Sequence, residues 1–304
     1  MPQGAIYNNF KTFVLLAGLT ALLLGAGQLM GGRNGLMIAL GLTLVMNFVG
    51  YWFSDKIALS MSGAQEVSAA EAPDLHRMVE DLSRRANLPK PRIYIIPSPQ
   101  PNAFATGRNP QHSAVAATEG IMQMLSRDEL EGVMAHELAH IKNRDILISS
   151  VAAVLAGALT HLAHMLQWSM MFGGFGGNSD AEDSGAGGIV GAIAMMILAP
   201  IAAMLIQMAI SRSREFEADR TGAQICGRPL SLANALLKLE RGAQLIPMHA
   251  DPATAHMYIV NPLRGAALAN LFSTHPATEQ RVARLQSLAD EFAASGPVPV
   301  ATWR

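Results

Sequence analysis

The stretch His136-Glu137-Leu138-Ala139-His140 places two imidazoles four residues apart with a carboxylate between them. On a helix, residues four apart project from one face, so His136 and His140 can offer two nitrogens to a single metal ion. Glu137 lies one step round, within reach of a proton on a water at that metal without being a ligand itself. This is the H-E-x-x-H arrangement, two ligands and a general base on one turn. A pattern with only three fixed positions also arises by chance on ordinary helices. Other residues must therefore complete a site.

The segment from Ser126 to Lys142 reads as the helix that carries the motif, with Ser126 as cap and Glu129 three residues on. Further acids stand in Ser211-Arg212-Ser213-Arg214-Glu215-Phe216-Glu217-Ala218-Asp219. There Glu215 and Asp219 share a helical face, while Glu217 is turned about 200° from Glu215. The alternative reading of these acids is a solvated face paired with Arg212 and Arg214.

Around these stretches the chain is apolar. Of its 304 residues 15% are charged, against about 25% in an average soluble protein, and mean hydropathy is +0.25. Four uncharged segments have bilayer-spanning length: Thr12 to Gly32, Gly35 to Phe53, Ile146 to Met171 and Gly188 to Ile210. The first lacks a basic leader and is followed at once by the second, so a membrane hairpin is expected rather than a signal peptide. Arg33 is the one basic residue in either outer loop, and the other outer loop, 169–187, is acidic and Gly-rich. The positive-inside rule then places both termini and both polar regions in the cytoplasm. A formal net charge of -1 with no long basic run argues against nucleic acid, and Cys226 alone excludes an intrachain disulfide.

In the first polar region Asp74 to Ala86 reads as an amphipathic helix, and Arg92 to Ile96 and Ala114 to Ala117 as strands. Between them lies Asn102-Ala103-Phe104-Ala105-Thr106-Gly107, boxed by Pro99, Pro101 and Pro110, which suits the margin of an edge strand or a plain connecting hairpin. In the second, helices are expected over Ser231 to Arg241, near Gly265 to Leu271, and after His275-Pro276.

Chain distance brings the two polar stretches together. Six residues from His140 to Ile146 rise about 9 Å on a helix, and five from Ile210 to Glu215 about 7.5 Å. If both helices run on from their spans, His136, His140 and Glu215 stand at one depth near the headgroups. Two imidazoles and one carboxylate would make a catalytic zinc site, with Asp219 one turn on to hydrogen-bond a ligand histidine. Glu217 is nearly level with Glu215, and helical phase alone separates the two. His161 and His164 lie inside the third span without a nearby carboxylate and read as neutral residues facing other helices. His249 and His256 read as loop residues.

Together these residues resemble the HtpX family of membrane zinc metalloproteases, relatives of the CAAX prenyl protease. Along with both acidic and histidine motifs, the resemblance takes in Ala255-His256-Met257-Tyr258-Ile259-Val260-Asn261-Pro262 and Thr274-His275-Pro276, and covers nearly the whole chain. It implies an α+β, mostly helical integral membrane protein: four transmembrane helices with a cytoplasmic gluzincin-like catalytic domain carrying a small β-sheet. The parts would be a hairpin over 1–53, catalytic segments 54–145 and 211–304, and a second hairpin over 146–210. It also implies one zinc ion on His136, His140 and Glu215, with Glu137 as base and Asp219 supporting a ligand. His275 would stand near the substrate carbonyl with Arg281 accompanying it, and peptide would pair with Asn102, Ala103, Phe104, Ala105, Thr106 and Gly107 by strand addition.

The expected function is cleavage of misfolded or damaged membrane proteins at the cytoplasmic side of a bacterial-type inner membrane, as stress-related quality control. The expected partners are the bilayer, membrane-protein substrates, and membrane protease or chaperone partners. Two alternatives stand beside it: a processing protease of narrow specificity, and a non-catalytic chaperone or scaffold stabilised by zinc. Glu137 separates the last from the rest, since a structural site needs no base and closes with four protein ligands.

Overall fold

The computed structural model describes residues 3–151, 212–245, 259 and 276–294. The third and fourth apolar segments, except residues 146–151, lie outside the described residues, as do His161, His164, His249, His256 and His275.

The first helical stretch, α1 (Gln3–Met61), is folded back on itself. Asn47 donates to the Thr20 hydroxyl at 3.0 Å, although 27 residues of straight helix would hold them about 40 Å apart. The reversal lies at Gly32, whose φ of +54° suits a residue without a Cβ. On either side of it Gly27 and Gly35 meet backbone to backbone, where a Cβ on Gly35 would lie 2.1 Å from the Gly27 carbonyl oxygen. Small residues at the contact and a polar cross-link are how helices associate in apolar surroundings. Among the described residues Gly32–Met61 is long and apolar enough to cross a membrane, and Thr12–Gly25 forms a shorter apolar helix. Of the four spans expected, then, one has spanning length here and a shorter one lies beside it. The helix also runs eight residues past the expected boundary at Phe53. Ala58 and Leu59 are buried, and Leu59 packs beneath the sheet.

The sheet has the order β1-β2-β4-β3. Its strands are β1 (Gln65–Glu66), β2 (Arg92–Ile96), β3 (Ala103–Asn109) and β4 (His112–Thr118). β2 pairs parallel to β4, and β3 pairs antiparallel to it through a turn at Pro110 and Gln111. β3 is therefore the edge, as the proline-boxed segment suggested. One face carries Tyr94, Ile96, Phe104, Ala114 and Ala116 against Leu59, and the other joins the main core through Ile93, Ala103, Ala105, Val115 and Ala117.

Helices cover that second face. α2 (Pro73–Ala86) buries Leu75, Met78, Val79 and Leu82 and ends on Asn87 in the left-handed conformation. A one-turn-and-a-half helix α3 (Glu119–Met124) leads to α4 (Arg127–Asn143), where the expected capping box is present. The Ser126 hydroxyl accepts from Glu129 N–H at 3.4 Å and Glu129 Oε2 accepts from Ser126 N–H at 2.8 Å, so two otherwise orphaned donors are satisfied. α4 is buried from Gly132 to Ala139 because neighbours enclose it on every side. α5 (Arg212–Cys226), α6 (Pro229–Leu245) and α7 (Thr278–Ala294) complete the enclosure. α5 lies unusually close to α4: a Cβ on Gly222 would come within 2.8 Å of the His136 backbone. That close approach sets the distance across the candidate site.

Candidate metal centre

His136 and His140 sit on one face of α4, and Glu215 enters from the first turn of α5. The two Nε2 atoms are 3.1 Å apart, and Glu215 lies 3.8 Å from His136 Nε2 and 3.7 Å from His140 Nε2. Metal–ligand bonds of about 2.1 Å at a tetrahedral angle would put donors about 3.4 Å apart. The triangle therefore has the dimensions of three ligands around one small cation.

Carboxylates hold each ring from behind. His136 Nδ1 is 3.0 Å from Asp219 Oδ1, and His140 Nδ1 is 3.1 Å from Asp145 Oδ2. An Nδ1–H directed at each acid leaves both Nε2 lone pairs facing one another, which is repulsive unless a proton or a metal lies between them. Asp219 also accepts twice from Arg281, at 2.8 and 2.6 Å, and Arg281 donates to the Ile259 carbonyl at 3.0 Å. Arg281 is 1% exposed and reaches within 3.7 Å of Glu215.

Glu137, Glu215, Asp219 and Asp145 are thus four buried carboxylates against one buried guanidinium. That imbalance asks for further positive charge. Without a metal it falls on the rings: burial opposes the His140 cation, but Asp145, Glu215 and Glu137 outweigh it and raise its pKa to about 10. A metal needs the neutral ring, so proton and metal compete for the same nitrogen. Burial chiefly lowers His136. For Asp219 burial is overcome by Arg281, which holds the carboxylate down to about 2.

Glu137 is 4% exposed, and burial pushes its pKa up to about 7, where a carboxylate can both take and return a proton near neutrality. It meets the edge strand, where the Ala105 N–H bonds to it. Gly107 N–H points the same way and donates to Ser150 Oγ at 3.3 Å, as expected for alternate residues of an edge strand.

The segment from Asn102 to Thr106 is buried, so its side chains are taken up by the fold. The Asn102 amide oxygen accepts from Ile259 N–H, Phe104 fills the lower core, and Thr106 bonds Ser150 at 2.7 Å. What the strand offers outward is backbone. Glu217 is exposed on the far side of α5. Sequence reasoning missed Asp145 and Gly222. The first had a signal in an acid just beyond the end of the motif helix. The second completes the i, i+4, i+7 stripe of Glu215 and Asp219.

A model of peptidase family M48 matches residues 69–289. The Protease HtpX homolog of Persephonella marina is 58% identical over 286 residues, covering 93% of this chain and 98% of its own. That of Syntrophobacter fumaroxidans is 58% identical, covering 92% and 99%. The homolog from Thermococcus kodakarensis is 56% identical, covering 92% and 96%. Among solved structures Ste24p of S. mikatae has a TM-score of 0.49 at 19% identity, over 94% of this chain and 67% of that one.

Proposed function

The chain belongs to peptidase family M48 and is a membrane metalloprotease, and we propose that it is a zinc endopeptidase that cleaves misfolded or damaged membrane proteins at the cytoplasmic face. The observation that carries this reading is a three-donor site with a buried base beside it and an edge strand bordering that base. His136 Nε2, His140 Nε2 and Glu215 would hold the zinc, which when bound supplies a Lewis acid that polarises the carbonyl and acidifies water.

The remaining steps belong to the protein's own groups. A substrate segment laid along β3 would pair with the outward N–H and C=O groups of Ala103 and the C=O of Ala105, beside the N–H that Ala105 gives to Glu137, which brings its carbonyls past that carboxylate. Glu137 takes the proton of the attacking water on its carboxylate and delivers it to the leaving amine. Asp219 and Asp145 keep the Nδ1 proton on each ring and so keep Nε2 free for the metal. His275, by the family resemblance, would steady the developing oxyanion.

The two folded-back helices of α1 and the apolar segments at 146–210 would together make four spans with both termini in the cytoplasm. Homologues named as HtpX proteases support the membrane setting, and the uneven distribution of Lys and Arg supports the orientation.

The test is cleavage of an unfolded membrane protein by the detergent-purified full chain. Activity should vanish with chelator and return with zinc. Glu137→Gln should reduce it by about 100- to 10,000-fold while zinc stays bound. A variant cleaving within a few-fold of the parent would overturn the assignment of the base.

A further inference from the structure

Where α1 leaves its apolar stretch, a cleft of about 550 Å³ opens between the helix, the start of β2 and the β3–β4 turn. Its volume falls in the range of small-ligand sites. Two kinds of wall meet there. Phe48, Trp52 and Phe53 are large, exposed aromatics on the helix side, and Lys56, Lys90, Arg92 and Arg108 supply four cations from three separate segments.

Two of the cations are already matched. Lys90 pairs with Glu80 at 2.8 Å, and Arg92 with Asp55 at 2.9 Å. Lys56 and Arg108 have no carboxylate within ion-pair distance among the described residues. Instead each rests over an aromatic ring, Arg108 4.9 Å from the centre of Trp52 and Lys56 5.6 Å from that of Phe53. Such stacking fixes the cations in place yet leaves their hydrogen-bond donors unspent. Like charges gathered in a cleft raise its potential and favour an anion.

Position along α1 says which anion. Large apolar side chains are exposed from Met37 to Phe53, and directly afterwards Ser54, Asp55, Ala58 and Leu59 are buried against the sheet. The aromatics therefore mark the level at which the helix passes from lipid to protein, where Trp and Tyr collect in membrane proteins. Lys56 lies about one turn beyond them, at headgroup depth. We propose that this cleft binds the phosphate of an anionic phospholipid, with Lys56 and Arg108 on the phosphate and Trp52 and Phe53 along the acyl chains. Arg108 follows Gly107 at the end of the edge strand, so a lipid held here would also fix the height of β3 above the membrane.

The proposal rests on α1 crossing the bilayer, as set out above. The full chain is placed in nanodiscs of phosphatidylcholine mixed with phosphatidylglycerol, exchanged into detergent, and its retained lipid identified by mass spectrometry. The expected result is enrichment of phosphatidylglycerol, reduced about tenfold in the double variant Lys56→Gln, Arg108→Gln. Neither residue belongs to the candidate metal centre, so zinc content should match the parent and shows that the variant is folded. No enrichment, or equal enrichment in parent and variant, overturns the proposal. Displacement of the lipid by inorganic phosphate at comparable concentration also overturns it, because the cleft would then be a site for the free ion. The membrane passage is tested separately by labelling Arg33→Cys with an impermeant maleimide in sealed vesicles. Labelling from the far side without lipid enrichment sinks the cleft alone. Labelling only from the active-site side removes the membrane placement and the proposal with it.

Discussion

The two histidines of the motif are one turn apart, yet the structure holds them in different ways. His136 is tied into the whole fold: Asp219 from α5 stands behind it, Arg281 from α7 grips Asp219 with two hydrogen bonds, and Arg281 in turn binds the Ile259 carbonyl. His140 is held locally by Asp145, only five residues on, where Arg144 in the left-handed conformation turns the chain back. Asp145 makes no contact with Arg281, so the His140 arm stays within its own stretch of chain. The side chain of His136 is 2% exposed and that of His140 17%. The first arm does two tasks, joining helices and orienting a ring, and the second does one.

The largest effect should come from the group that both arms share. Glu215 lies within 3.8 Å of both Nε2 atoms, and its removal leaves two rings facing each other with no third donor. Glu215→Gln should lose bound zinc and protease activity together. Zinc counted per protein after gel filtration checks it, and full occupancy with full activity would show that the third ligand is another residue.

The next experiment separates the arms. Asp219→Asn and Asp145→Asn should each weaken zinc affinity about 10- to 100-fold, the usual cost of losing the group that orients a ligand. Stability should divide them. Asp219→Asn leaves the Arg281 charge buried without its main partner, and breaking such a pair costs about 3–5 kcal/mol. Asp145→Asn takes the nearest carboxylate from the metal-free His140 cation, but an imidazolium can shed its proton where the Arg281 guanidinium cannot, so this variant should lose less stability than Asp219→Asn. Denaturant unfolding of both metal-free variants in one detergent reads the difference. Equal destabilisation would mean that the His140 arm also holds the fold.

Much of the site's inner half was legible because it obeys local rules. Ser126 and Glu129 mark the start of α4, the four-residue spacing puts His136 and His140 on one face, and the same spacing pairs Glu215 with Asp219. Prolines at 99, 101 and 110 flagged the edge strand. What escaped depended on contacts between distant segments. Gly222 continues the helical spacing of Glu215 and Asp219, but the reason it must be glycine, an α4 backbone within touching distance, comes from a distant segment. Asn102 looked available to a peptide, but Ile259, 157 residues on, takes its amide oxygen. Arg281 had its place by family resemblance alone, because its partner Asp219 is 62 residues away. The helix runs on beyond the first hairpin for a related reason: hydropathy falls at Phe53, while the helix continues because Ala58 and Leu59 find protein to pack against.

The smallest effect sharpens the comparison by isolating helical phase from charge. Glu217 stands two residues from Glu215 and two from Asp219, so any general attraction of acids for the metal would include it. A rotation of about 100° per residue carries it to the opposite side of α5, where it is exposed. Glu217→Gln removes the same charge at almost the same height as Glu215→Gln but touches neither ring. It should leave zinc content, cleavage rate and unfolding midpoint within about twofold or 0.5 kcal/mol of the parent, as expected of a surface substitution. The two variants differ only in which face of one helix is changed. A loss of zinc in Glu217→Gln as large as that in Glu215→Gln would mean that α5 presents a different face to α4 than the one bearing Gly222. The division between a shared ligand and two unequal supporting arms would then have to be redrawn around that other face.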